Sequence, residues 1–436
     1  GTGAQTLLDG SIIVSGSYSN ALTDQRESQL RSFTVQPRDT ILSYSNIVTT
    51  QGSDAIRDQA AARDIITPRV TADAGRLVLA NLEQLKVAGT IATDPAAGGR
   101  GAEVDLSGLA FAVRRAADQS QTGVVQLTNA TLDAFNAGSL FIGGTRSANA
   151  DGSTTLTVAA NSILVADDAT IAGPETLLAV QGATSSLIIA DGASILASGA
   201  NADQSGFDYR LVGTDGAAGP GGAIRVATGG ERLFARNFDD PATTPAIVQI
   251  GAATLGEDRG DPNVDPVSNI AFESSRDVSF SDNATIDADR VALISDSIAL
   301  GGDGLSGTVL GTLSNADQLT FRSNTSITIA SGTYGFSNLV LDAQALRGDG
   351  TDGGVAIDAG TGSVRFRNSA AAFDGCDVRC AALGTLTINA GTLIFDTGTI
   401  GTEGFAGGVT LIGTGGSYVE GKGGFDAGAT DLTIRT

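Results

Sequence analysis

Two apolar residues separated by one other residue recur through the last third of the chain, and this pattern limits the fold more than anything else in the sequence. The triplets are Val278-Ser279-Phe280, Ile298-Ala299-Leu300, Leu319-Thr320-Phe321, Leu339-Val340-Leu341, Val364-Arg365-Phe366, Leu386-Thr387-Ile388, Val409-Thr410-Leu411 and Leu432-Thr433-Ile434, whose first residues step by 20 to 25 positions. A spacing of two is the strand period, so both apolar side chains share one face and the middle residue takes the other. Between triplets lie Gly/Asp clusters such as Gly301-Gly302-Asp303-Gly304 and Gly348 to Gly354, residue types that suit sharp corners. One coil of strands and corners cannot bury its apolar stripe alone, but coils stacked at about 4.8 Å share a core. The expected fold is all-β, a right-handed parallel β-helix (solenoid) with loop and hairpin insertions and one short helix.

The pattern divides the chain into three parts. Residues 271–436 read as regular coils of 20–25 residues. Residues 69–270 read as β-helix with insertions, the stretches from Ser198 to Gly222 and from Gly229 to Pro266 leaving the coils as loops or side hairpins. Residues 1–68 read as an irregular β segment, with a helix from Ser53 through Ile66 signalled by good helix formers and by Pro68 beyond its end. The register carries a test: Phe321→Asp or Ile388→Asp is expected to break the stack, and Thr320→Asp, at an outward position, to be silent.

Composition narrows the function. The chain has no His, which excludes Ser-His-Asp and Cys-His nucleophile systems and His-ligated zinc or haem. A net charge of −22 and the lack of a basic run argue against a nucleic-acid partner. Only Lys86 and Lys422 are lysines, so arginine supplies nearly all the positive charge. No stretch approaches the about 20 apolar residues of a membrane-spanning helix. With no initiating Met and a strand-like pattern running to Thr436, the chain reads as a segment of a longer polypeptide.

Several segments carry a family resemblance: Gly75-Arg76-Leu77-Val78-Leu79-Ala80, Gly89-Thr90-Ile91, Gly98 to Leu106, Asn136 to Arg146 and Pro174-Glu175-Thr176-Leu177-Leu178-Ala179. They resemble the filamentous-haemagglutinin-like surface proteins of Gram-negative bacteria over roughly residues 70–270, and the remainder is similar in repeat style. The resemblance implies a long β-helical exoprotein exported by two-partner secretion, with an outer-membrane barrel transporter as its export partner. It implies an extracellular, cell-surface location and display as an adhesive filament, with a host-cell, glycan or neighbouring-cell receptor. The Asn-Pro-x-Gly type signature of the family's secretion domain is absent, which assigns this segment to the shaft or beyond. The expected function is therefore a non-enzymatic shaft. The alternatives are a self-assembling surface layer or sheath and a polysaccharide-cleaving β-helix enzyme using acid pairs such as Asp167-Asp168 or Asp239-Asp240.

Given an exported protein, Cys376 and Cys380 are expected to form a small disulfide in a corner loop. Arg-Gly-Asp occurs twice, at Arg259-Gly260-Asp261 and Arg347-Gly348-Asp349, as candidate receptor contacts. The run Gly301 to Val309 resembles a calcium-binding nonapeptide but has Ser306 where the ion needs a carboxylate. Asp349 and Asp352 suit at most weak, nonspecific Ca²⁺. No catalytic, metal or cofactor site is expected.

Overall fold

The computed structural model describes residues 4–18, 25–45, 50, 52–87, 89, 91–118, 122–200, 207–236, 246–258, 267–370, 383–428 and 430–436. The chain is mostly β, 49% strand and 8% helix, in several mostly parallel sheets with no closed barrel. It divides into two compact units, Gly1–Thr71 and Ala72–Thr436.

In the first unit, Gln5–Thr6, Ile12–Gly16 and Arg31–Val35 form an antiparallel sheet. The expected helix spans Gly52–Ala62 and ends before Asp64, whose φ of 49° is left-handed. Arg38–Leu42 is a second, unexpected helix following Pro37. Its five residues are too few for sequence periodicity to register.

The second unit is organised by a 15-stranded sheet whose main path runs from Arg76–Leu82 to Ser417–Val419. Six-, four- and five-stranded sheets accompany it. Pairing is in register and parallel at nearly every step. One ladder joins Val291, Leu319, Leu339, Val364 and Leu393. A second joins Ile298, Ile327 and Leu346, and a third joins Val355, Leu386, Val409 and Leu432. The eight triplets therefore do not form a single column, because they are shared among three sheets and Val278 pairs with Val248 in yet another ladder. Their spacing measures the distance between strands of similar composition, and composition does not say which sheet a strand joins. Residues such as Leu106, Phe321, Ile388 and Leu411 pack in one contiguous inner core.

The two stretches expected to be loops or hairpins carry short strands among their described residues, Tyr209–Gly213 in the first and Phe234–Ala235, Ile247–Ile250 and Thr254–Glu257 in the second, with Gly221–Thr228 between them. Gly221–Thr228 enters the long sheet antiparallel to both Glu175–Gln181 and Ser268–Ser274. Ile247–Ile250 and Thr254–Glu257 join the six- and four-stranded sheets. Tyr209–Gly213 and Phe234–Ala235 join the hairpin of Gly144–Ala148 and Thr154–Val158 in a separate four-stranded sheet. This side layer covers the outer face of the long sheet. Phe141, Leu177, Ala223, Ala271 and Ala292 of the long sheet pack with Leu156, Tyr209, Leu211 and Phe234 of the side layer in a second core.

Covering that face changes the register's consequences. The middle positions Asp105, Phe141, Leu177, Arg225, Ala271, Ala292 and Thr320 form one cross-strand column, and each is at most 3% exposed. Thr320 is thus buried, contrary to the expected outward position. The chain reaches the side layer through Gly143, whose φ is 119° and where a Cβ would lie 2.1 Å from the Ala179 carbonyl oxygen. Only glycine suits that position.

Two further short helices escape the sequence pattern. Asn129–Phe135 is capped by Thr128, whose side chain accepts from Thr131 N, and it buries Leu132 and Phe135. Gly307–Leu313 is capped by Ser306 accepting from Val309 N. The Gly, Thr and Val content of Gly307–Leu313 gives little intrinsic helicity, and Asn129–Phe135 is only seven residues long, so capping and burial decide them.

Candidate functional site

The start of the long sheet carries a column of polar residues. Arg76, Glu103 and Ser139 are in-register neighbours at the first positions of their strands, and Glu175 opens the next strand, whose Thr176 pairs with Leu140. Glycine corners bring these strand ends close together. A Cβ on Gly101 would meet Gly138 Cα at 2.7 Å, so neither position tolerates a side chain without displacement. Opposite them stand Ala148, Thr154, Tyr209 and Arg232 of the side-layer region, and between the two walls lies a cleft of about 770 Å³.

A hydrogen-bonded chain of charged groups forms the floor. Asp105, fully buried, accepts from Arg146 Nε at 2.7 Å and Arg146 N at 3.0 Å, and also from Arg76. Arg146 Nη1 donates to Ser139 Oγ at 2.7 Å, and Ser139 Oγ donates to Glu175 Oε2 at 2.5 Å. The other oxygen, Glu175 Oε1, accepts from Arg225 Nε at 2.7 Å and from the Tyr209 hydroxyl at 3.0 Å. Arg232 completes the chain, donating to the Tyr209 hydroxyl at 3.0 Å with its guanidinium carbon 3.9 Å from the ring centroid.

These contacts fix the charge states. Burial alone would raise the Glu175 pKa, but the charges of Arg225 and Arg146 and the hydrogen bonds from Ser139 and Arg225 outweigh it and lower the pKa to about 2. Tyr209 is pushed well up, first by burial and then by the Glu175 charge. Burial opposes the charge on Arg146 and Arg225, and their carboxylate partners more than restore it. Arginine suits these positions because its planar fork bonds two or three partners at once, which an ammonium does not match. That geometry gives the near-absence of lysine a structural use.

A second cluster lies farther along the same face. Arg236 holds Glu273 through Nε at 2.8 Å and Nη2 at 3.0 Å, both residues being buried. Arg322 bridges Asp208 at 2.7 Å and Asp342 at 3.0 Å. A hollow of about 180 Å³ separates the two groups.

The residues singled out from sequence lie elsewhere. Arg347 lies in the strand Ala345–Gly348, which pairs in parallel with Thr399–Glu403, and its Nε sits 2.6 Å from Glu403 Oε2 as an ion pair, not an aligned hydrogen bond. Gly348 is buried at the same strand's end, and Asp349 accepts from Thr351 N, Thr351 Oγ1 and Ser331 N. A receptor approaching this tripeptide would compete with those contacts. Asp352 accepts from Leu383 N at 3.0 Å, 31 positions along the chain, so of the carboxylates proposed for weak Ca²⁺ one serves a turn and the other a tertiary contact. Ser306 is explained by its cap. Asp167 and Asp168 are exposed in a turn. Cys376, Cys380, Arg259, Gly260, Asp261, Asp239 and Asp240 lie outside the described residues. Among the described residues no group of three or more His, Cys, Asp or Glu side chains is arranged to hold a metal ion.

Asp105, Arg225 and their partners were missed although Val104-Asp105-Leu106 and Ile224-Arg225-Val226 display them. A charge inside an apolar triplet reads as an outward residue unless something is known to cover that face. No family model matches the chain, and comparison with curated proteins and with solved structures finds no match.

Proposed function

We propose that the second unit is a right-handed parallel β-helix with one face thickened by a side layer, and that it forms the non-enzymatic shaft of a secreted filamentous adhesin. In this reading the shaft is exported by a barrel transporter of the two-partner type and holds receptor-binding regions away from a bacterial surface. The observation that carries the reading is the run of in-register, mostly parallel ladders around one inner core, from Val104 to Leu411. Such an arrangement gives length and stiffness through backbone hydrogen bonds repeated at each level. The buried groups Glu175, Arg146 and Arg225 are held charged far from neutral pH, which fits a clamp between layers better than a proton-transferring acid or base.

Antibodies against the chain, applied to intact producing cells, test the proposal. Labelling along radiating filaments, lost when the transporter is deleted, is the expected result. Labelling only after lysis contradicts surface display, and labelling of an ordered lattice points to the self-assembling layer.

A further inference from the structure

The cleft contains polar groups that the fold leaves unused. Glu103 stands between Arg76 and Arg146 at 3.9 Å and 3.8 Å, beyond hydrogen-bonding distance of either. Among the described residues its carboxylate accepts no hydrogen bond, and its side chain is 41% exposed. Arg76 spends Nε and Nη2 on Asp105 and on the Arg146 carbonyl, and Nη1 has no partner among the described residues. Thr93 also lines the cleft, is 5% exposed, and its hydroxyl has no hydrogen-bond partner among the described residues. Fold stability does not call for leaving a buried hydroxyl unpaired, since that costs about 1–3 kcal/mol.

We propose that this cleft binds a neutral, polyhydroxylated ligand, a short stretch of uncharged oligosaccharide. Its walls carry four guanidinium groups (Arg76, Arg100, Arg146, Arg232) against three carboxylates (Asp73, Glu103, Glu175). The near-balance gives no field selecting a polyanion or a polycation. A cation at Glu103 meets Arg76 and Arg146, and an anion at Arg76 meets Glu103. A vicinal diol satisfies both, one hydroxyl donating to Glu103 while its neighbour accepts from Arg76 Nη1. The Thr93 hydroxyl can donate to or accept from a third hydroxyl. The volume falls within the about 300–1,000 Å³ of small-ligand sites. Binding here adds a ligand to the shaft reading without depending on it, since a cleft of this chemistry works equally in a protein that is not displayed on a filament.

Isothermal titration of the whole 436-residue chain with maltotriose, cellotriose and chitotriose, and with trigalacturonate and spermidine as charged counterparts, tests the proposal. At least one neutral trisaccharide is expected to bind, and Glu103→Gln to weaken it about tenfold or more, the scale of a hydrogen bond to a charged group. Thr93→Val, which keeps the side chain's shape, is expected to weaken the same sugar and serves as the second variant should Glu103→Gln not fold. Glu420→Gln, which removes a carboxylate paired with Arg365 far along the sheet, is expected to change nothing. The proposal is overturned if none of the neutral sugars binds. It is also overturned if trigalacturonate or spermidine binds more tightly than they do, or if folded Glu103→Gln or folded Thr93→Val keeps wild-type affinity.

Discussion

Thr320 and Thr385 look alike in sequence, each a threonine beside an apolar strand residue, yet Thr320 is 3% exposed and Thr385 faces solvent. Thr320→Asp is therefore expected to cost at least about 2 kcal/mol by burying an unpaired charge, and Thr385→Asp no more than about 0.5 kcal/mol, as read by urea denaturation. Glu175 gives a second residue-scale prediction. Its pKa is lowered on folding from 4.5 to about 2, so its contribution is fully present above pH 4.5 and disappears as pH falls toward 2. The wild type is expected to lose roughly 3 kcal/mol more than Glu175→Gln over that window. At neutral pH the single variant Glu175→Ala should cost about 3–5 kcal/mol because Arg225 stays buried without its partner. Parallel acid titrations of the two variants against the wild type check both statements.

Among the elements, the side layer is the one that sequence periodicity does not announce. Its strands are short and their apolar residues few, but they cover Phe141, Leu177 and Ala179. The long-sheet strands beneath them show the consequence in retrospect. Leu140-Phe141-Ile142 and Leu177-Leu178-Ala179-Val180 are continuous apolar runs, the signature of strands buried on both faces. Gly143→Val should detach the layer at its entry point, since the new side chain collides with the Ala179 carbonyl. Hydrogen exchange is expected to speed up in Thr154–Val158 and Tyr209–Gly213, while Leu319, Leu339 and Val364 keep their protection. Uniform loss across both sheets would mean that the layers fold as one.

Among the described residues of the second unit, each strand contacts mainly the strands it pairs with, so stability is expected to be local along the sheets. The strands Ser417–Val419 and Leu432–Arg435 are exposed at every position. Removal of residues 417–436 is expected to leave exchange protection in Arg290–Leu300 unchanged, whereas Phe321→Asp lowers it, a difference that mass-spectrometric exchange resolves. What the amino-acid order determined by itself was the strand period, the glycine-rich corners and the apolar inner stripe, because these follow from two-residue alternation and local backbone freedom. Only the tertiary structure decided which ladder each strand joins, that the outer face carries a second layer, and that Asp105 meets Arg146 across 41 positions and Glu175 meets Arg225 across 50. Alternation assigns a residue to one side of a strand, but the free energy of that residue depends on what another part of the chain lays over it.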